Sequence, residues 1–255
     1  MSDSPAGPSG AGEPLPPGPV DVPGWWAPGT PGHERDDRVA WGVPSDHEPR
    51  WAALLAVLVA IALQVILPER VIQGLGPRWL IPVLEGILLV ALLVTDPHRA
   101  DREGSALRWL SLGLIAVITV ANLVALAELI RALLAHTSVG GRSLVFASVP
   151  IWLTNVIAFG LWYWELDRGG VTARLQPEHR RPDFLFPQMS TPGSSPGWAP
   201  QFLDYLYTSF TNATAFSPTD TMPLTSWAKL LMMLQSLASL LTVALVISRA
   251  VNILN

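Results

Sequence analysis

Five long apolar runs alternate with polar breaks along the chain: Trp51 to Leu67, Trp79 to Val94, Trp109 to Leu133, Leu144 to Trp164, and Trp227 to Ile247. Each is close to the ~20 residues that cross about 30 Å of hydrocarbon at about 1.5 Å per residue, so each predicts a membrane-spanning helix. Pro68 closes the first run and Gly76 and Pro77 introduce the second. Asp96-Pro97-His98-Arg99 and Gly140-Gly141-Arg142 separate later runs as turns. A Trp stands at or near an end of every run, where an amphipathic ring meets the headgroups. Short connections predict antiparallel neighbours in a bundle.

The polar segments differ in kind. Residues 1–48 are dense in Pro and Gly and carry no periodicity, a composition that buries too little apolar area to offset ordering entropy; a disordered tail is predicted. The tail lacks the charged start and apolar run of a secretory signal. Trp25, Trp26 and Trp41 are its large apolar groups, suited to membrane-surface contact or to a docking motif. Residues 167–199 open with Asp167-Arg168-Gly169-Gly170 and read as a polar extramembrane loop. Within it, Phe184 to Met189 is an apolar island that lies on the bilayer or packs on the module that follows.

That module, residues 200–255, starts with a short helix. Pro200 suits a first turn, and Asp204 favours the positive end of the helix dipole. Phe202, Leu206 and Phe210 form one apolar stripe on a helix too short to cross a membrane. Such a half-helix is tolerated at membrane depth only when buried in protein or lining a wet cavity. Its C-terminal carbonyls then direct partial negative charge at the next residues and favour a cation there. The expected fold is all-α: a multi-pass transmembrane bundle of about five spanning helices with a re-entrant helix and loop and a disordered tail. It divides into residues 1–48, a four-helix transmembrane region at 49–166, the loop at 167–199, and the module at 200–255.

Composition agrees with this class. Of 255 residues, 50% are hydrophobic and 14% charged, a balance suited to a bilayer protein. A net charge of -4, with fifteen Arg and one Lys dispersed between apolar runs, gives no basic field for nucleic acid. With no Cys, disulfides and thiolate chemistry are excluded. His33, His47, His98, His136 and His179 show no metal-ligand spacing, and neither a Gly-rich phosphate loop nor a Gly-x-Ser-x-Gly elbow is present. No enzyme activity, cofactor or metal site is expected. Arg in place of Lys, with abundant Ala, Gly and Pro, suggests a high-GC bacterial source and the plasma membrane as location.

Candidate chemistry concentrates between Asp204 and Thr225. Thr211 and Thr214 make a Thr-rich helix end; Asp220, Pro223 and Thr225 form Asp-x-x-Pro-x-Thr; an apolar helix follows at once. This order of parts resembles the pore module of the potassium-channel superfamily, over about 50 C-terminal residues. The resemblance implies a pore helix, a filter-like loop and an inner helix. It also implies a homo-oligomer, tetrameric if a channel, that passes monovalent cations, with Thr211, Thr214, Ser217, Thr219, Asp220 and Thr225 lining the path and Pro218 and Pro223 shaping it. The filter departs from the family: Thr214 to Asp220 is one residue longer and lacks Gly, and Pro218 fixes its own φ while restricting Ser217, which argues against potassium selectivity. Three readings of this turn stand: a hydroxyl-lined cation path, a non-conducting membrane scaffold that keeps the pore architecture, and a surface turn ahead of an ordinary span.

With five spans, ten Arg fall on the N-terminal side and five on the other, which places the N-terminus in the cytoplasm; one span fewer reverses the sense of the module. Glu85 is a carboxylate well inside a run, either a proton or cation site or a hydrogen-bonded packing group. Gln64, Asn122, Asn155 and Gln235 are expected to bond between helices. Glu128 and Arg131 are expected to pair at the surface. Ser236, Ser239, Thr242 and Ser248 mark a face of the last helix that lines a wet pore or allows close helix contact.

Overall fold

The computed structural model describes residues 50–67, 79–95, 105–134, 141–174, 181–190, 198–214 and 220–254. The predicted disordered tail, with Trp25, Trp26 and Trp41, lies outside the described residues, as do Ser217, Pro218 and Thr219. In chain order the elements are α1 (Trp51–Ile66), α2 (Leu80–Thr95), α3 (Ser105–Leu134), α4 (Gly141–Leu166), a 3-10 turn (Asp167–Gly169), α5 (Val171–Arg174), β1 (Phe184–Leu185), α6 (Pro187–Ser190), α7 (Phe202–Thr214), β2 (Met222–Pro223) and α8 (Ser226–Leu254).

Among the described residues, three stretches are long and apolar enough to cross a membrane: Arg108–Leu134 in α3, Val145–Gly169 from α4 into the turn, and Ser226–Ser248 in α8. The first two of the five expected spans form shorter apolar helices among the described residues. α1 and α2 are 16 residues each, about 24 Å at ~1.5 Å per residue against a core of about 30 Å. α1 stops because Leu67, preceding Pro68, leaves the helical region (φ -58°, ψ 137°), as the proline ring demands of the residue before it.

α4 is the trunk: α1, α3, α7 and α8 all pack on it, while α2 rests chiefly on α3 and α1. Of its most apolar stretch 67% is buried, against 28% for α8, so α8 keeps most of its surface for other contacts. One part of the core gathers Phe159, Tyr163 and Trp164 of α4 with Phe184, Phe186, Met189, Phe202, Tyr205 and Met232. The other joins Leu126 and Leu129 of α3 to Ala147, Ile151 and Ala238.

The apolar faces that remain are turned outward, as lipid allows: Leu55, Leu58 and Val59 on α1, Val83, Ile87 and Val90 on α2, and Leu230, Met233, Leu237 and Leu240 on α8 are exposed. Trp51, Trp79 and Trp109 are likewise exposed at helix ends, as a headgroup belt requires. Trp164 and Trp227 are not belt residues. Trp164 is buried, stacked edge-on against Phe202 at 5.8 Å, and the Trp227 indole N–H donates to Asp183 Oδ1 at 2.9 Å.

α7 begins as its sequence predicts. The Gln201 N–H donates to Asp204 Oδ2 (2.8 Å), one half of a capping box. The apolar stripe divides between environments: Phe202 is buried, but Phe210 is exposed along with Leu203 and Tyr207, while Tyr205, Thr208 and Ser209 face inward. Lipid gives no reason to hide apolar groups, so the polar side of this helix is the side that needs protein.

Candidate functional site

α7 lies between α4 and α8 and is fixed there by a buried polar network centred on Gln235. The Gln235 amide N–H donates to the Ser209 carbonyl (2.9 Å) and to Ser209 Oγ (2.6 Å). Its Oε1 accepts from Asn212 Nδ2 (2.7 Å) and from the Tyr163 hydroxyl, and its backbone carbonyl accepts from Asn155 Nδ2 (3.3 Å). Ser209 Oγ donates onward to the Val156 carbonyl (2.6 Å), so every link joins two of the three helices. The helices also approach closely at Gly160, where an added Cβ would sit 3.2 Å from Leu206 Cα.

The C-terminus of α7 is closed by hydroxyl donors. The Thr211 carbonyl accepts from Thr214 Oγ1 (2.8 Å), the Asn212 carbonyl from Ser236 (3.4 Å), and the Ala213 carbonyl from Ser239, whose Oγ in turn accepts from the Trp152 indole (2.7 Å). Three of the last four carbonyls, the groups a helix end leaves without intrahelical partners, are therefore served by side chains. The Ser236/Ser239/Thr242 face accordingly makes close helix contact: Ser239 and Thr242 are buried, and Thr242 donates to the Ala238 carbonyl at 2.8 Å.

Seven residues after Thr214 the chain lies back beside the middle of α7, with Thr221 Oγ1 3.1 Å from Thr208 Oγ1. Met222 and Pro223 then pair antiparallel with Leu185 and Phe184, and Leu224 N–H donates to the Asp183 carbonyl (2.8 Å). The exit motif is thus tied to the loop at 181–190. Phe184, predicted as part of an apolar island, is buried with its ring near Tyr163 (5.0 Å), Trp227 (5.9 Å) and Tyr205 (6.3 Å).

A polar clasp holds that loop. Arg168, Gly169 and Gly170 take φ of 55°, 86° and 107°, a left-handed reversal that Gly permits cheaply, and it turns the chain sharply after α4. Asp167, fully buried, accepts from the Asp183 N–H (2.8 Å) and from the Tyr205 hydroxyl (2.6 Å). Asp183 Oδ2 accepts the Arg168 N–H (2.8 Å), and Arg168 Nε lies 3.5 Å from Asp167 Oδ2. Arg174 donates to the Trp164 and Asp167 carbonyls (2.6 and 3.2 Å) and lies over the Tyr205 ring at 5.3 Å. Burial pushes the Tyr205 phenol well above its ordinary pKa; the Arg174 charge opposes this and Asp167 adds to it. The opening of 167–199 is therefore packed structure, a correction to its reading as a polar loop.

Of the predicted path residues, Thr211 and Thr214 lie half-buried on the last turns of α7 with their hydroxyls donating to α7 carbonyls. Asp220 is exposed, Pro223 lies in β2, and Thr225 Oγ1 is buried with no partner among the described residues. Glu85 is fully buried on α2, apart from this module, and accepts from Gln64 Nε2 at 3.0 Å. Glu128 and Arg131 pair at 2.6 Å as expected, and Asn122 is buried. Sequence reasoning missed Asp167, Asp183, Tyr205, Ser209 and Tyr163. The bonds that tie them across the fold span up to 72 residues of sequence, and no local pattern marks them.

No family model, curated protein or solved structure matches this chain. Fold and site together point to the class: a mostly helical membrane protein with, among the described residues, three helices long and apolar enough to span the bilayer. Its further feature is a 13-residue helix held inside the bundle by polar contacts.

Proposed function

We propose that α4, α7, α8 and the turn at 215–219 form a re-entrant pore module, and that copies of the chain assemble about an axis through it to pass a cation in the plasma membrane. The supporting observation is the end of α7. Ala213 meets Ser239, thirteen residues and about 20 Å along α8 at ~1.5 Å per residue, well inside a core of about 30 Å. By Thr221 the chain is back beside Thr208. A helix that ends at such depth needs its carbonyls met by protein, which the Thr214, Ser236 and Ser239 hydroxyls do.

The chemistry suits a cation. Thr211 and Thr214 spend their O–H groups on α7 carbonyls, which leaves oxygen lone pairs to point at a path shared with Ser217, Thr219 and Asp220. A Gly-free turn containing Pro218 supports a filter other than the potassium type. α8, the least covered span, supplies a face for neighbouring copies, with a tetramer as the arrangement the pore resemblance implies. α1 and α2 complete a five-helix passage in this reading, tilted little and matched to a thin bilayer.

A second reading, a non-conducting scaffold that keeps this architecture, is favoured by the apolar outer face of α7 and α8, where Leu203, Tyr207, Phe210, Met233 and Leu237 are exposed. Planar-bilayer recordings of the purified protein separate the two. Cation current above the lipid background, reduced by Thr214→Ala and by Asp220→Asn, is expected. Absence of current, or current indifferent to both changes, supports the scaffold.

A further inference from the structure

Glu85 lies on α2, outside the proposed pore module, and is 0% exposed. Its carboxyl has one hydrogen bond among the described residues, from Gln64 Nε2 to Oε1 at 3.0 Å, while Oε2 has none. A buried ionised carboxylate needs a cation or several donors to offset lost hydration. One neutral amide falls well short of that. Among the described residues, the charged side chains of the helices packed with α2 stand elsewhere: Arg50 precedes α1, Arg108 stands in the first turn of α3, and Glu128 and Arg131 in its last turns bond each other. α2 itself carries no other charged residue.

Among the described residues the geometry suits a proton better than a cation. Hard cations take about six oxygen ligands, whereas here a single carboxyl faces an amide N–H aimed at it. A proton needs only one oxygen. With Oε1 accepting from Gln64, Oε1 is the carbonyl oxygen of a neutral acid and Oε2 carries its proton. That O–H has no acceptor among the described residues, and a purely structural acid in a bundle would bridge both oxygens, because an orphaned polar group costs about 1–3 kcal/mol.

The position gives the proton an exit. Gln64 is in the last turn of α1 and Glu85 in the second turn of α2, so both stand about 8 Å or less from the ends of their helices at ~1.5 Å per residue. We propose that Glu85 is a reversible proton-binding site at the α1–α2 hairpin, with Gln64 as its positioning residue. It exchanges with water at the membrane face where α1 ends and α2 begins. Release converts the acid to a carboxylate, the proton passes to water, and the Gln64 N–H remains on Oε1. This site does not rest on the pore reading and stands or falls independently of it.

Infrared spectroscopy of the full chain in lipid nanodiscs tests the site without needing a reagent to reach it. A protonated-carboxyl C=O stretch is expected at neutral pH, missing from Glu85→Gln, and bleached reversibly as pH rises. Gln64→Leu removes a donor that favours the charged form, so its bleaching midpoint should move up by about one pH unit, a tenfold gain in proton affinity. Because Gln64→Leu keeps the carboxyl, the assignment holds even where Glu85→Gln fails to fold. Wild type and both variants giving the same titration overturns the proposal. So does a Glu85 band that persists unbleached to the alkaline limit of the folded protein, which would make the acid a fixed packing group.

Discussion

Replacing Gln235 by Leu removes the centre of the α4–α7–α8 network while keeping the volume nearly constant. Four side-chain hydrogen bonds disappear: two to Ser209, one from Asn212 and one from Tyr163. Interhelical hydrogen bonds in bilayers contribute about 0.6 kcal/mol each and at most about 1.7, so the gross loss is about 2–4 kcal/mol. Two partners keep a second bond, Asn212 to the Met232 carbonyl (3.0 Å) and Ser209 to the Val156 carbonyl (2.6 Å). The Tyr163 hydroxyl is the group left stranded. The expected net loss is therefore about 2–3 kcal/mol, with the stranded hydroxyl contributing about 1 kcal/mol or more. Reversible unfolding in mixed micelles by added SDS measures it. Tyr163→Phe in the Gln235→Leu background should then cost nothing or restore about 1 kcal/mol, a coupling that a double-mutant cycle isolates. A Gln235→Leu effect below about 0.5 kcal/mol, or full additivity with Tyr163→Phe, would refute the network as the anchor of α7.

Further outcomes follow from the clasp and the helices. Asp167→Ala strands Arg168, the Tyr205 hydroxyl and the Asp183 N–H; a loss of about 3–5 kcal/mol is expected, seen as faster proteolysis within 181–190. Gly113→Ala, with open space around its Cβ, should stabilise by about 0.5–1 kcal/mol. Gly160→Ala should destabilise by about 1 kcal/mol because overpacking against Leu206 outweighs the same helix gain; unfolding midpoints of the pair compare them directly. Tyr205 keeps its proton to higher pH when folded, so the native state binds more protons than the unfolded one above the ordinary phenol value, and stability should fall as pH rises past about 10. Tyr205→Phe should lose about 1 kcal/mol at neutral pH and show a shallower alkaline decline, as unfolding at stepped pH would record.

The helices were legible in the sequence because a run of apolar residues near spanning length has few other uses, and α7 was legible from Pro200 and Asp204. Which face of α7 meets the protein was not. Phe202, Leu206 and Phe210 recur as one apolar stripe, yet Phe210 is exposed and Ser209 is buried. In lipid an apolar side chain gains little by moving inward, so periodicity marks the wrong face whenever polar contacts hold the helix. The clasp was hidden for another reason. Asp167 and Arg168 look like an ordinary charged turn, and only the left-handed backbone at 168–170 brings the carboxylate back against Tyr205 and the Asp183 backbone. Gln235 stood out as a polar residue in an apolar run, but the identity of its partners depends on α7 being inserted beside it.

The trunk helix also sets a timetable for biogenesis. Tyr163 and Gln235 are separated by 72 residues, which at a synthesis rate of about 5–20 residues per second means about 4–14 s before the partner exists. Through that interval a newly inserted α4 carries Trp152, Asn155 and Tyr163 with their α8 acceptors still unmade. Until α8 arrives those groups lack their α8 partners, and an inserted chain that stops before Gln235 keeps its central helix unfinished.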